Sequence, residues 1–201
     1  MVAVVKKIGD GASAVKYFYF TEKNYECTKG WVDTKGAKEF GLNGFSKEDF
    51  ENMLDGKIVK NKGEGLLQTQ ETIQLGRKTK EGVEHQAGQE VILSAPKSFS
   101  IMCLVAKDKR LEEVQQKAVE KVAHYAEQNM IYTRVQEDGK MKYEKADNVA
   151  CAYFTHMTSR PAKREDLITK KVPDPGLHTH LVFANATKCQ KTKSREPLSN
   201  P

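Results

Sequence analysis

Residues 177–185, Leu-His-Thr-His-Leu-Val-Phe-Ala-Asn, constrain the fold of this 201-residue chain more than any other stretch. The pattern is typical of a β-strand, in which alternate side chains lie on the same face of the sheet. His178 and His180 therefore share one face, whereas Leu177, Thr179 and Leu181 share the other. Two imidazoles held in this way can bind one metal ion, while the opposite face is expected to pack in a core.

Composition limits the class of protein. With 38% hydrophobic and 30% charged residues, the chain is too apolar for a disordered protein and resembles a globular one. It has no apolar run long enough to cross a membrane, and its first residues lack the architecture of a signal peptide. We therefore expect a cytoplasmic protein without membrane insertion. The net charge of +6 favours a polyanionic partner, although many basic proteins bind none.

The cysteines do not form a recognisable framework. Cys27, Cys103, Cys151 and Cys189 are widely separated and include no Cys-x-x-Cys pair, which argues against a zinc ribbon or a set of disulfides. Cys103 and Cys151 lie in apolar runs and are predicted to be buried, reduced thiols. A thiol near the histidines stays open as an alternative.

An aromatic run follows residues 1–7, a mostly apolar segment that is predicted as the first strand. Asp10 or Ser13 is expected to cap a short helix that carries Tyr-Phe-Tyr-Phe at residues 17–20. Four rings in succession cannot all point inward from one helix. At least one hydroxyl is therefore expected to face a groove or solvent.

The next segments are mostly polar. Residues 31–42 are predicted as a loop and a short helix, and Ser46 is expected to cap a further helix. Residues 57–89 are polar and rich in glycine, which favours a long loop.

The middle of the chain alternates apolar and amphipathic segments. Residues 90–94 are predicted as a strand, 95–98 as a turn, and 99–106 as a buried helix or strand. A helix capped by Asp108 is expected to extend to about Asn129, with its polar face in solvent. Its apolar stripe is expected at Leu111, Val114, Ala118, Val122 and Tyr125.

The remaining elements are strands. Residues 131–135 and 141–143 flank Glu-Asp-Gly-Lys, which predicts a hairpin. Another strand is expected over 149–154, ending at His156, before a charged excursion at 161–172. This order of elements favours an α+β fold with a mostly antiparallel central sheet and flanking helices.

Three histidines are expected to meet if the predicted strands that carry them are neighbours. His156 would then join His178 and His180 in a cluster that leaves coordination positions open, as at a catalytic metal site. Glu90, on another strand, can orient an imidazole or accept a proton. The N-terminal tyrosines supply a candidate nucleophile. A metal ion, a base and a phenol together suggest phosphoryl transfer.

These residues lie in motifs that resemble those of the HUH-type conjugative relaxases, specifically the MobF group found at the N-terminus of relaxase–helicase proteins. The likeness covers nearly the whole chain. It lies in Tyr17-Phe18 with Tyr25, the Trp…Gly-Ala…Gly-Leu pattern of Trp31–Leu42, Gly88–Ser98 with its Ser-Ala-Pro-Lys-Ser ending, Phe154–Arg160, and Asp174–His180.

The resemblance implies an HUH endonuclease palm and a transesterase that nicks one strand of plasmid DNA at a transfer origin. In this family the first tyrosine attacks the scissile phosphodiester, which leaves a 5′-phosphotyrosine and a 3′-hydroxyl. Carried over, Tyr17 is the nucleophile and Tyr25 serves a second transfer reaction. Tyr19 is an alternative first nucleophile, because it lies six residues before Tyr25.

The resemblance also implies a cofactor. A divalent ion, Mg²⁺ or Mn²⁺ with Zn²⁺ as a further candidate, would be held against a phosphate oxygen by His156, His178 and His180. Glu90 would take the role of the family's acidic residue, as a proton acceptor or as the partner of a histidine.

DNA and protein partners follow from the same resemblance. Lys97 and Arg160 are expected to bind single-stranded DNA at the transfer origin. Relaxosome accessory proteins and a type IV secretion coupling protein are implied as partners. The protein would be bacterial and cytoplasmic, and would enter the recipient cell with the DNA.

The chain departs from the family pattern in three places. Phe18 and Glu26 replace the second tyrosine of each doublet, and Glu90 replaces an aspartate, which adds about an ångström of reach. The segment between Arg160 and Asp174 is longer and is expected to loop out. The last residues of the chain resemble the family's segment just past the histidine strand. We therefore expect one relaxase domain over 1–201, truncated at its C-terminal end.

Two other functions are compatible with these residues. A rolling-circle replication initiator shares the paired histidines and the tyrosine, but not the Ser-Ala-Pro-Lys-Ser block. A non-catalytic basic DNA-binding module with a structural zinc ion would fold only with metal and would form no covalent adduct with DNA.

Overall fold

An antiparallel sheet organises the fold. The computed structural model describes residues 2–20, 27–62, 69–80, 82–137, 140–159, 174–188 and 195–196. In chain order the elements are β1 (Val2–Ile8), α1 (Gly11–Val15), a π-helix (Lys16–Phe20), β2 (Cys27–Trp31), α2 (Lys35–Glu39), α3 (Lys47–Leu54), β3 (Lys57–Lys62), β4 (Thr69–Gln74), β5 (Arg77–Thr79), β6 (Gly82–Glu84), β7 (Gly88–Ser94), α4 (Lys97–Leu104), α5 (Lys109–Asn129), β8 (Tyr132–Glu137), β9 (Lys140–Lys145), β10 (Cys151–Thr158), β11 (Pro175–Ala184), β12 (Thr187–Lys188) and β13 (Arg195–Glu196).

Within the described ranges, five strands form the central sheet in the order β1–β7–β11–β10–β2. Every pairing in it is antiparallel, and helices flank it, which confirms the predicted α+β class. The histidine strand β11 lies in the middle. Its Leu177, Thr179 and Leu181 are at most 3% exposed, so the face opposite the histidines is core, as predicted.

Helices cover both faces of the sheet. On the face opposite the histidines, Val119 and Ala123 of α5 pack in a cluster with Leu93, Cys151 and Leu181. On the histidine face, side chains of α1, the π-helix and α3 form a second cluster against Phe154 and Val182; these are Ala14, Val15, Phe18, Phe50 and Leu54. The histidines therefore lie at one end of a packed layer rather than on an open sheet.

Side-chain caps define where three helices begin. Asp10 Oδ2 accepts a hydrogen bond of 2.8 Å from the Ser13 N–H, so Asp10 is the residue that caps α1. Ser46 Oγ accepts from the Asp49 N–H at 3.0 Å, and Asp108 accepts from the Arg110 N–H at 3.2 Å. Each cap satisfies a backbone donor that the first helical turn leaves without a partner. The predicted starts of α3 and α5 are confirmed.

The prediction of a long loop over 57–89 was wrong. This region contains the paired strands β3 and β4 and the short pair β5 and β6. Ile58 and Leu75 are 2% and 4% exposed and pack with Phe40 and Met53 in a third apolar cluster. Most of the hairpin side chains that the structure describes are exposed or partly exposed. The polar and glycine-rich sequence therefore gave little sign of a strand.

The buried stripe of α5 also differs from the prediction, by one position along the helix. Val114 and Tyr125 are 52% and 63% exposed, whereas Gln115, Val119, Ala123, Ala126 and Glu127 are buried. The predicted stripe has more apolar residues, but Gln115 and Glu127 are buried because they have hydrogen-bond partners. The expectation that the polar face is wholly solvated was therefore wrong.

Two boundaries differ from the sequence-based assignment. Cys27–Trp31 forms the edge strand β2, whereas Trp31 was expected in a loop. The predicted turn at 95–98 is cut short because α4 begins at Lys97, and residues 99–104 are helical rather than extended. The hairpin of β8 and β9 and the strand leading to His156 are confirmed.

The predicted charged excursion at 161–172 lies outside the described residues. None of the helices in the described ranges is long and apolar enough to cross a membrane.

Candidate active site

The three histidines form one cluster on the face that α1 and the π-helix cover. His156 and His178 are direct partners in the pairing of β10 with β11, and His180 lies two residues further along β11. The three pairs of ring centroids are 5.0, 5.1 and 5.1 Å apart. The expectation that the histidine strands are neighbours is thus confirmed. His156 and His180 are each 4% exposed, so the cluster is largely shielded from water.

Two of the imidazoles are held by oxygen acceptors. The Nδ1 atom of His180 bonds to the carboxylate of Glu90, which is itself 7% exposed. The Nδ1 atom of His178 bonds to the Gly176 carbonyl at 2.8 Å. Because each acceptor requires an N–H donor, both neutral rings carry their lone pair on Nε2, the atom a metal ion needs. A carboxylate or carbonyl behind a metal-binding histidine is a recurring second layer of metal centres.

The histidine side chains do not form a complete metal site as they stand. Within the described ranges, no three His, Cys, Asp or Glu side chains form a group that could hold one ion. The rings of His156 and His178 stack with 23° between their planes. Imidazole is a common ligand of divalent ions, so the types of donor in the cluster fit such an ion.

Tyr17 lies beside this cluster. Its half-buried ring is 6.2 Å from the ring of His180, centroid to centroid, in an edge-to-face arrangement. Phe18, the next residue, is 3% exposed and stacks on Phe154 at 4.7 Å. A hydroxyl on residue 18 would be buried among aromatic rings, where an unpaired polar group is costly. The aromatic surroundings of residue 18 are therefore compatible with phenylalanine at this position.

The other predicted site residues have different outcomes. Tyr25 and Arg160 lie outside the described residues, as does the side chain of Tyr19. Lys97 Nζ donates to the Pro175 carbonyl at 2.9 Å and lies 3.2 Å from the Asp174 carboxylate. Lys97 therefore ties α4 to the start of β11, and its predicted contact with DNA stays a prediction.

Two further residues lie on the histidine face, and neither had been given a role from the sequence. Cys27 is the direct partner of His156 in the pairing of β2 with β10, and Lys29 is the partner of Phe154. Cys27 Sγ lies 4.0 Å from His156 Nε2. Both residues lie on β2, so predicting that strand from the sequence would have placed them on this face.

Comparison with known proteins decides the family. The TrwC relaxase family matches residues 7–200. The chain belongs to the TrwC relaxase family. A structure of the conjugative relaxase TrwC in complex with OriT DNA, in its metal-bound form, superposes with a TM-score of 0.75 at 28% identity, over 99% of this chain and 62% of that one. The metal-free complex superposes with a TM-score of 0.74 over 61% of its chain.

Full-length relatives of this TrwC-family chain are much longer. The multifunctional conjugation protein TraI of Escherichia coli is 30% identical over 191 residues, which is 92% of this chain but 9% of TraI. TraI of strain K12 is 29% identical over 193 residues, again 9% of its length. The chain thus spans about a tenth of the curated relatives it matches.

Proposed function

We propose that this chain nicks one strand of DNA at a plasmid transfer origin by transesterification, for conjugative transfer. The observation that carries the proposal is the position of Tyr17 against the histidine cluster, in a chain of the TrwC relaxase family. A phenol next to a buried imidazole cluster is a suitable nucleophile for a phosphodiester. OriT DNA is present in the related TrwC complexes.

In this proposal the Tyr17 hydroxyl loses its proton, and its oxygen forms a bond to the phosphorus atom. The bond between phosphorus and the 3′-oxygen breaks, and that oxygen leaves as a hydroxyl after taking up a proton. The products are a 5′-phosphotyrosine and a 3′-hydroxyl, so one ester replaces another. Because the ester energy is retained, the reverse reaction reseals the strand without ATP. Tyr25 would accept the strand in a second transfer, with Tyr19 as the alternative first nucleophile.

The three histidines would hold a divalent ion, and metal-bound forms of TrwC are known. When bound, the ion supplies positive charge next to a non-bridging phosphate oxygen. Mg²⁺ and Mn²⁺ are the first candidates, with Zn²⁺ as a further one. Glu90 acts as a positioning residue in this scheme, because its carboxylate accepts a hydrogen bond from the Nδ1–H of His180 and thereby sets the ring's tautomer.

Basic side chains near the histidines support binding of a polyanion. Lys6 and Lys29 are exposed, and their register partners are Glu90 and Phe154 on the histidine face. Arg160 and Lys97 are proposed as further DNA contacts. Cation–phosphate contacts of this kind bind any sequence and weaken as the salt concentration rises. In the cell we propose a cytoplasmic location, relaxosome accessory proteins and a secretion coupling protein as partners, and passage into the recipient with the DNA.

The test is formation of a covalent adduct. The protein is incubated with single-stranded oligonucleotides that represent transfer origins, including the OriT DNA of the related TrwC complexes, with Mg²⁺ or Mn²⁺, and the products are separated on a denaturing gel. We expect one oligonucleotide to give a protein–DNA adduct and a shortened 3′-hydroxyl product, and excess chelator to prevent both. Metal-dependent folding with no adduct on any oligonucleotide would favour a structural zinc module instead. Adducts that form only on a replication origin would favour a rolling-circle initiator.

Removing the Glu90 carboxylate tests the proposed metal centre. We expect Glu90→Ala to weaken binding of Mn²⁺ by about 10- to 100-fold, the usual effect of losing the hydrogen-bond partner of a metal-binding histidine. Calorimetric titration of the metal-depleted protein measures this change. Glu113→Ala is the control, because Glu113 is exposed on α5 at the other face of the sheet. Equal affinities of the Glu90 variant and the unmodified protein would exclude this role for Glu90.

A further inference from the structure

Cys27 occupies a position that the three-histidine scheme does not use. The pairing of β2 with β10 places Cys27 opposite His156, and the pairing of β10 with β11 places His156 opposite His178. Cys27, His156 and His178 therefore form one row across three adjacent strands. Directly paired residues of antiparallel strands point to the same face. The thiol thus belongs to the same face as the imidazoles.

We propose that Cys27 is a fourth ligand of the metal centre, and that it directs the site towards ions that accept sulfur, such as Zn²⁺ and Co²⁺. The inference rests on the proposed metal centre and adds a residue and an ion preference to it. Thiolate ligands select zinc-like ions, whereas Mg²⁺ prefers oxygen ligands. When the sulfur–metal bond forms, the thiol proton leaves to solvent.

The distance between sulfur and nitrogen is compatible with a shared ion. With metal–sulfur and metal–nitrogen bonds of about 2.3 and 2.1 Å, the two ligand atoms lie about 3.6 Å apart at a tetrahedral angle and at most about 4.4 Å apart. The observed separation of Cys27 Sγ and His156 Nε2 is 4.0 Å, inside this limit. Together with His178 and His180, Cys27 gives three imidazoles and one thiolate, donors of the kinds that zinc binds. A phosphate oxygen would then bind as a fifth ligand, a coordination number that catalytic zinc sites reach in the transition state.

The other described cysteines do not compete for this role. Cys151 is wholly buried on the opposite face of the sheet, and Cys103 is 1% exposed on α4. Burial raises the pKa of both thiols above the ordinary value, which disfavours their thiolate forms. Cys27, in contrast, is partly exposed at the end of the edge strand β2. A metal ion or an alkylating reagent can therefore reach Cys27 more easily than the two buried thiols.

Cobalt spectroscopy tests the inference without using activity. The metal-depleted protein is titrated with Co²⁺, whose visible d–d bands report binding and whose near-ultraviolet charge-transfer band reports a thiolate ligand. We expect both signals in the unmodified protein and in Cys103→Ala, and loss of the charge-transfer band alone in Cys27→Ser. Visible bands without a charge-transfer band in the unmodified protein would exclude Cys27 and leave the histidine centre standing. Absence of both signals would overturn the metal centre itself.

Alkylation gives a second readout that does not depend on a variant folding. Iodoacetamide is added to the unmodified protein with and without Zn²⁺, and the modified peptides are measured by mass spectrometry. We expect Zn²⁺ to slow alkylation of Cys27, because a sulfur that donates a lone pair to a metal ion is a weaker nucleophile than a free thiolate. A Cys27 that reacts at the same rate when Zn²⁺ is shown to be bound would contradict the inference. Adduct formation with DNA then remains a separate measurement of the proposed function.

Discussion

Tyr17→Phe is expected to abolish the covalent DNA adduct and to lower cleavage by at least about a thousandfold, the scale of loss when an enzyme loses its nucleophile. The substitution removes one oxygen atom and keeps the ring. The edge-to-face contacts of that ring with Phe18, at 5.0 Å, and with His180, at 6.2 Å, are therefore preserved. Because Tyr17 is half-buried rather than in the core, we expect the melting temperature to stay near that of the unmodified protein.

A matched control separates the nucleophile from a general effect of losing a phenol. Tyr143→Phe removes the same oxygen from β9, where the side chain is 51% exposed on a two-stranded sheet separate from the central one. This variant is expected to cleave as the unmodified protein does. The measurement is the rate of adduct formation on a denaturing gel, with the attachment site located by peptide mass spectrometry.

The possible outcomes assign the nucleophile as well as the reaction. An adduct that persists in Tyr17→Phe and maps to Tyr19 or Tyr25 would move the first attack to that residue while leaving the transesterase function intact. If Tyr17→Phe lost both the adduct and its folded structure, the nucleophile would be tested with a second variant, Tyr17→Trp. This variant retains an aromatic ring but has no hydroxyl. An adduct on that variant at the normal rate would also exclude Tyr17.

The histidine site was largely predictable, because short-range periodicity and chain order encode it. Alternation alone places His178 and His180 on one face, and among the described residues the strand that carries His156 is followed by β11. The family resemblance implies that Glu90 acts as a proton acceptor or as the partner of a histidine, and in the structure its carboxylate is hydrogen-bonded to His180. The orientation of each ring could not be predicted, because it depends on side-chain torsions that no sequence pattern specifies.

The edge strand β2 was missed for a physical reason. Its sequence, Cys-Thr-Lys-Gly-Trp, has little apolar alternation and contains Gly30, and glycine weakens the strand signal. The structure shows why glycine is there: a Cβ atom on residue 30 would lie 2.8 Å from the ring of Tyr153 on the neighbouring strand. The glycine that the packing favours therefore also makes the strand hard to recognise in the sequence. Without β2, Cys27 could not be placed beside His156.

Buried polar groups limited the prediction of the helices. Glu127 is 4% exposed on α5, where a charged residue is normally assigned to solvent. Its carboxylate accepts hydrogen bonds from the backbone N–H groups of Lys35, Gly36 and Val149, at 3.0–3.1 Å. These partners lie 22 to 92 positions from Glu127 in the chain, and only the fold brings them together. Sequence spacing therefore does not reveal them.

The Glu127 carboxylate also holds the backbone against which Gly36 packs. Gly36→Ala is therefore expected to destabilise the protein by more than about 4 kcal/mol, or to prevent folding. A Cβ atom on residue 36 would lie 2.2 Å from the carbonyl carbon of Val149 and 2.4 Å from its nitrogen. These are backbone atoms, so no side-chain rotation relieves the overlap. Urea denaturation followed by circular dichroism measures the change.

The backbone at Val149 cannot easily move away. Its N–H donates to Glu127 at 3.0 Å, and its carbonyl accepts from the Thr34 hydroxyl at 2.7 Å. The Gly36 N–H donates to the same carboxylate at 3.0 Å. A shift large enough to admit a methyl group would break one or more of these buried hydrogen bonds, and each buried donor left without a partner costs about 1–3 kcal/mol.

Gly9→Ala is the matched control, because a Cβ atom on residue 9 meets no atom within 4 Å and the backbone there is not in the left-handed region. It is expected to leave the free energy of unfolding nearly unchanged. If Gly36→Ala proved as stable as Gly9→Ala, the close packing of α2 against Val149 would be wrong. Close to Val149, the Val32 N–H donates to the Cys151 carbonyl at 2.8 Å, next to the first pair of residues that joins β2 to β10. The register of these two strands places Cys27 beside His156, so a stable Gly36→Ala variant would also weaken the case for a thiolate ligand.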